Sequence, residues 1–571
     1  MPASAAAAAA EGEEKAAEAG GRELLYCGTV RFDIMGRKVK GGVQGRGNLV
    51  SPTRLRPLVG VDIRFVASGC AACHCVALSS DGRCFSWGRN EKGQLGHGDT
   101  LLRNLPTVVS ELSKYNIIAA GVGKNHTVVV TDEGKSFAFG DNRHGQLGMG
   151  SLRSGTKVLP VPCLVTKATN AVCGADFTVW LSSVEGSSIL TAGLPQYGQL
   201  GHGSDNEYNA NVSSIRLAYD PQPTPRAIAA LSGKTVVKVA CGTNHTVAVD
   251  SSGFVYTWGF GGYGRLGHNE QKDEWQPRLV EIFQKNNILS PSDIISAGSA
   301  SSACTAGRGQ LYVWGKLKNW GDECMYPKPV RDLSGWNIRC MASGDMHHIV
   351  GAEDSCISWG LSEYGELGYG PTQKSSVNPK KVDILEGMRV TSVGCGVGMS
   401  LIVVDRANVG DKLDQLDNFD GNIDALFQEN TKKLYFLPRR DIKEKSNPKT
   451  SQHPAIDKTA EETLKAEQVT KAASPTTNSR SNKRKKASKH EEPEAKDEIK
   501  QVPKEEAECG GHGRGRGRGR GAKTATPEPM PSGRGRGRGR PKKGSPGAAT
   551  PEAGSSGRGG KKSGKRGRPR K

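Results

Sequence analysis

Over the first four hundred residues, short apolar runs alternate with glycine-rich polar clusters, and two such patterns keep returning. The first is an apolar run ending in glycine, often followed three residues later by histidine and a β-branched strand, as in His126-Thr-Val-Val-Val-Thr and His245-Thr-Val-Ala-Val-Asp. Its glycines are Gly69 (with His74 five residues on), Gly123, Gly174, Gly242, Gly298, Gly344 and Gly396. The second is a strand that closes on a large residue and a glycine, as in Phe85-Ser86-Trp87-Gly88. It ends at Gly28, Gly88, Gly140, Gly193, Gly259, Gly315 and Gly360. Each pattern occurs seven times, with periods between 45 and 68 residues. Runs of this length and alternation predict strands, and the period suits a blade of four antiparallel strands better than most helical repeats.

A loop of the form Gly-Gln-Leu-Gly follows at Gly93, Gly145 and Gly198, with Gly264-Arg-Leu-Gly and Gly365-Glu-Leu-Gly as variants. Glycine permits the positive φ of a tight loop, and the leucine is placed to plug into the neighbouring blade. The two series are offset. Gly28 has no first pattern before it, and Gly396 has no second pattern after it. Strands from both ends of the chain therefore belong to one blade. The expected fold is all-β: a seven-bladed β-propeller closed by N- and C-terminal strands, which leaves no sheet edge open.

Charge separates this ring from the rest of the chain. Of the net +21, residues 471–571 hold +19, from 29 Lys/Arg against 10 Asp/Glu. About +2 is left for the first 470 residues. No aromatic residue follows Phe436, so this tail lacks the apolar surface to offset the entropy of ordering and is expected to be disordered. Four parts result: a disordered Ala/Glu-rich segment at 1–21, a propeller at 22–410, an acidic and apolar connector at 411–440, and a basic tail at 441–571. The connector ends in the apolar cluster Leu434-Tyr435-Phe436-Leu437. Residues 3–21 lack the basic start and apolar centre of a signal peptide, and no run reaches membrane-span length, so a soluble intracellular chain is expected. Fourteen cysteines without a framework pattern fit a reducing compartment.

Candidate chemistry is sparse. Cys70, Cys73 and Cys75 around His74 suggest zinc, but no second ligand pair stands at a suitable spacing. Cysteine before glycine at Cys173, Cys241 and Cys395 reads as a small core residue. Histidines repeated at one structural position, such as His126 and His245, are expected to satisfy backbone groups between strands. Trp87, Trp258, Trp314 and Trp359 are expected to pack between blades. There is no nucleophile elbow and no phosphate loop with its lysine, so no catalytic residue, metal or cofactor is assigned. The longest connection between repeats, residues 203–234, carries Pro221, Pro223 and Pro225 and reads as a projecting loop.

Trp87-Gly88-Arg-Asn-Glu-Lys-Gly-Gln-Leu-Gly-His-Gly98 and Gly123-Lys-Asn-His-Thr127 resemble repeats of the regulator of chromosome condensation family. The resemblance spans roughly residues 24–405, and Trp258-Gly-Phe-Gly-Gly-Tyr-Gly-Arg-Leu-Gly-His268 is similar to the branch of its second member. Phe177 departs by replacing histidine, and the fifth repeat lacks the Gly-Gln-Leu-Gly loop. The family's founder uses a projecting element of its propeller to release nucleotide from a small GTPase. The resemblance thus implies a monomeric propeller that recruits a small GTPase or mitotic chromosome and spindle components, with 203–234 as contact. Guanine-nucleotide exchange without covalent chemistry is the alternative. The ultraviolet-sensing branch fits poorly, because Lys124-Asn125 and Thr243-Asn244 stand before the histidines where that branch has tryptophan and arginine.

The tail carries sharper motifs. Gly-Arg pairs fill residues 513–520 and 533–540, a signal for nucleic acid that serves DNA or RNA equally. Arg538-Gly539-Arg540-Pro541 and Arg566-Gly567-Arg568-Pro569, each with trailing basic residues, resemble AT-hooks. A thin cationic strand fits the narrow, strongly negative minor groove of A-T-rich DNA; glycine permits entry and proline keeps the chain extended. Lys483, Arg484, Lys485 and Lys486 read as a nuclear import signal. Ser474, Thr526, Ser545 and Thr550 each precede proline and are candidate phosphorylation sites. The expectation is a nuclear, chromatin-associated binding protein, redistributed in mitosis.

Overall fold

A computed structural model describes residues 21–37, 47–153, 155–211, 214–316, 324–371, 375–424 and 426. The chain divides into two units, Met1–Pro448 and Lys449–Lys571, and every described residue lies in the first.

Six blades each take four antiparallel strands, within residues 63–108, 117–162, 168–227, 236–279, 295–329 and 338–381. The seventh is shared between the chain ends. Val390–Cys395 and Met399–Asp405 supply its inner strands, and Arg22–Thr29 and Asn48–Leu55 its outer ones. Leu25 lies opposite Ile402 across this seam. The first strand of every blade touches the first strand of the next, and the seventh touches the first, so the ring is closed. The offset between the two sequence patterns is thus the seam itself.

Each second strand in the first six blades is buried at every position, for instance His126–Thr131 and His245–Asp250. Every third strand has the glycine of the second sequence pattern as its last or next-to-last residue, with φ between +93° and +127°. A Cβ at Gly88 would lie 2.6 Å from the Cα of His74, so only glycine lets the third strand close against the loop beside it. The tryptophans fill joints between blades. Trp258 packs with Leu200 and Phe177 of the preceding blade, and Trp314 with Phe283 and Val249. Leu147 and Leu200, from Gly-Gln-Leu-Gly loops, plug into the following blades as expected.

The segment after the ring packs back onto it. A short helix, Gly410–Asp414, and a two-residue strand, Asn418–Phe419, run along the closing blade, the strand pairing in parallel with Arg54 and Leu55. Leu413, Leu416 and Phe419 are buried there. Buried Glu23, on the first strand, accepts hydrogen bonds from Arg54 and Arg406. Asp414 lies 2.9 Å from Arg54 and 3.2 Å from Arg406, so four charges from both chain ends clasp the seam.

Candidate partner-binding face

Strand alternation within a blade sends the first-to-second and third-to-fourth connections to the same end of the ring. At that end, neighbouring first-to-second connections link through backbone bonds, Lys124 N to Ala175 O, Ala175 N to Thr243 O, Ser299 N to Gly344 O and Val397 N to Ala72 O. The longer loop of the first blade carries Cys70 to within 3.5 Å of the Thr243 hydroxyl. The cysteine cluster of the sequence scatters: the Cys73 thiol faces Met35 O, the Cys75 thiol faces Met399 Sδ, and His74 faces Thr127.

The repeated histidines do a specific structural job, and it differs from the backbone contact expected of them. Each reaches a hydroxyl of the next blade: His74 to Thr127 at 2.8 Å, His126 to Thr178, His245 to Ser302 and His347 to Ser400 at 2.9 Å. Each hydroxyl then donates its one proton to a carbonyl of the Gly-Gln-Leu-Gly loop or its variant, namely Gln94, Gln146, Arg265 or Glu366, at 2.7–2.8 Å. With its proton spent on a carbonyl, the hydroxyl can only accept from histidine, which fixes the Nε2–H tautomer. Nδ1 of His74, His126 and His245 has no partner among the described residues. Burial holds His74 and His347 down to about 3 and His126 down to about 4, so these rings are neutral joints rather than proton-transfer groups.

Where histidine is missing the joint changes, on one side at Phe177, which still faces Thr246, and on both sides after the fifth and seventh blades. Phe177 is fully buried in the same place, and Gln199 O accepts from Trp258 Nε1 at 3.0 Å instead. Ser301 and Met399 hold the position in the fifth and seventh blades. Their counterparts in the next blades are His348 and Cys75 rather than threonine or serine.

The third and fourth blades give this face its exposed aromatic and cationic side chains. The loop read as projecting carries a hairpin, Glu207–Asn209 paired with Leu217–Tyr219. On it, Tyr208 is 51% exposed, Ile215 86% and Leu217 52%. Gly203 N donates to Trp275 O at 2.8 Å, which ties the root of the loop to the fourth blade, where the Trp275 side chain is itself exposed. From the same connection, Tyr197 packs against Phe260 of the fourth blade, with ring centres 4.7 Å apart and planes tilted by 42°. The Arg265 guanidinium sits 4.6 Å from the Phe260 ring centre, and Lys316 lies over Tyr263 at 4.8 Å. Tyr219 lies opposite Glu207 in the hairpin and beside Gln196, the neighbour of Tyr197, so the hairpin meets this aromatic and cationic cluster at its base. Burial lowers the Arg265 pKa to about 10, which leaves it charged at neutral pH. Exposed Tyr and Trp beside cations is the composition of a protein-binding surface. Sequence reading missed this cluster; its available signal was Gly-Gly-Tyr-Gly-Arg, where arginine replaces the glutamine of other repeats.

A one-chain ring with this histidine joint and a two-ended seam defines an RCC1-like propeller. Residues 35–292 match the RCC1-like domain family, and residues 353–403 match the Regulator of chromosome condensation (RCC1) repeat. The chain belongs to this family. Protein RCC2 of Mus musculus and of Homo sapiens are each 41% identical to it over 404 residues, covering 67% of this chain and 76% of theirs. Among solved structures, yeast RCC1 (Prp20) bound to Kap60 superposes with a TM-score of 0.55 at 19% identity, over 69% of this chain and 91% of that one. Prp20p from Saccharomyces cerevisiae, described with its binding properties to Gsp1p and histones, gives 0.52 at 18% identity, over 73% and 95%. Both likenesses concern the fold.

The motifs of the tail lie outside the described residues: the import cluster at Lys483–Lys486, both hooks and the four Ser/Thr-Pro sites. So does the cluster Leu434 to Leu437. Among the described residues, no helix is long and apolar enough to cross a membrane.

Proposed function

We propose that the protein is a nuclear, chromatin-associated adaptor whose propeller recruits a small GTPase, or a component of the mitotic chromosome and spindle machinery, while its tail binds A-T-rich DNA. The observation that carries the reading is the projecting hairpin with Tyr208, Ile215 and Leu217 held in solvent beside an aromatic and cationic cluster. Side chains of this kind are costly to leave exposed and are suited to burial against a partner. Membership of the RCC1-repeat family supports the choice of partner, as does the description of Prp20p with its binding to Gsp1p and histones. The +19 of the tail and its two Arg-Gly-Arg-Pro motifs support the DNA arm. Acceleration of nucleotide release is the second reading, favoured by the hairpin's projection from the face.

The test is capture of nucleotide-free small GTPases by the full-length protein, followed by GDP release, with residues 205–220 replaced by two glycines as comparison. Binding that needs the hairpin and leaves release unchanged is the expected result. Accelerated release makes the protein an exchange factor. Absence of capture across the panel defeats GTPase recruitment.

A further inference from the structure

The hairpin has a free edge, and its hydrogen bonding says which one. Glu207 lies opposite Tyr219, Tyr208 opposite Ala218 and Asn209 opposite Leu217. Asp220 N donates to Asn206 O at 3.0 Å and Ala210 N to Arg216 O at 2.8 Å. Hydrogen-bonded pairs alternate along an antiparallel ladder, so 206/220, 208/218 and 210/216 are the bonded ones. The backbone groups of Glu207, Asn209, Leu217 and Tyr219 therefore point away from the hairpin. On the first strand, the Asp205 carboxylate already takes the Glu207 N–H, at 3.2 Å. On the second, the N–H groups of Leu217 and Tyr219 meet no acceptor among the described residues.

The side chains along this ribbon are sorted as well. Within the strands residues of like parity share a face, which puts Leu217 and Glu207 on the same one toward opposite ends, with Ile215 just beyond one end and Asp205, past the left-handed Asn206, just beyond the other. Ile215 and Leu217 are largely exposed. Neither carboxylate has an ion-pair partner among the described residues. Two strands of three residues, exposed as these are, are too small to hold their shape by their own packing. An unpaired strand edge of this kind is a template for another strand.

We infer that the Leu217–Tyr219 strand docks its partner by strand addition. The partner supplies an extended segment whose apolar side chain meets Ile215 and Leu217 and whose lysine or arginine faces Asp205 and Glu207. This rests on the recruitment reading above and names the mode of contact within it.

The probe is the nucleotide-free small GTPase captured by the full-length protein. Strand addition slows amide exchange at Leu217 and Tyr219 by about tenfold or more in the complex, because those N–H groups acquire acceptors. Leu217→Pro removes one outward donor without touching the inward bonds and weakens binding by about tenfold, whereas Leu217→Ala, which keeps the donor, loses less. Replacing Asp205 and Glu207 with lysine weakens binding and flattens its dependence on salt. A complex that forms with unchanged exchange at both amides overturns strand addition and leaves recruitment standing, as do Pro and Ala variants of equal affinity. If no GTPase binds the unaltered protein, recruitment and strand addition fall together.

Discussion

Four buried histidines stay neutral in the folded ring, while in the unfolded chain each takes up a proton near its ordinary value of ~6.5. Their folded values are lowered, to about 3 for His74 and His347, about 4 for His126, and well below the ordinary range for His245. The unfolded state therefore binds more protons below that pH. Their contribution to stability is complete above pH ~6.5 and falls as pH drops toward the folded values, by up to about 1.4 kcal/mol per histidine per pH unit. Burial lowers His97, His202, His268 and His348 as well, while half-buried Asp273 and Asp345 and buried Glu366 act in the opposite direction, since burial raises all three. Eight sites against three should give a melting temperature that drops clearly between pH 7 and pH 5. The double variant His126→Phe with Thr178→Val makes this joint apolar, and its pH slope should be shallower by one histidine's share of the effect. A slope identical to that of the unaltered chain would mean this joint does not titrate as described. The histidine positions were visible in the sequence, but their partners were not. Each bond spans 52 to 57 residues to a threonine or serine, a common residue in any strand.

At the scale of elements, the seam was legible because the two half-patterns are out of phase, with Gly28 and Gly396 left unpaired. The elements that lock it were not. Residues 411–424 read as acidic, and Leu413, Leu416 and Phe419 were too few and too interspersed with aspartate to suggest a buried face. Yet these three bury themselves against the closing blade, each contributing about 1.5–3 kcal/mol in transfer free energy. Asp414 adds its contacts to Arg54 and Arg406. A chain ending at residue 409 should thus unfold at markedly lower denaturant than one ending at residue 426, with faster amide exchange along Arg22–Thr29. Equal midpoints for the two chains would show that this segment merely rests on the ring.

For the whole molecule, the sequence divides the work between a nearly neutral ring and a tail that carries most of the charge. Ring number followed from repetition, which averages over local ambiguity. The aromatic cluster followed from no repetition, because it is built where the fourth repeat deviates from its own pattern. If the tail reads grooves rather than charge alone, replacing Arg538, Arg540, Arg566 and Arg568 with alanine should weaken binding to A-T-rich duplexes far more than to G-C-rich ones. Each phosphate no longer neutralised should also reduce the salt slope by about one unit. Equal losses on both duplexes would reduce the hooks to plain cations, serving RNA as readily as DNA.

The two-ended seam also sets a schedule. Glu23 and Arg406, which meet across it, are 383 residues apart in the chain. At about 5–20 residues per second of translation, the first strand leaves the ribosome roughly 20–80 s before the strand it must pair with exists. Arg22–Thr29 is buried at seven of its eight positions in the finished ring, so through that interval it is an apolar ribbon without a home. Completion of the ring is thus a late event of synthesis, and the newborn N-terminus is where a chaperone would be needed most.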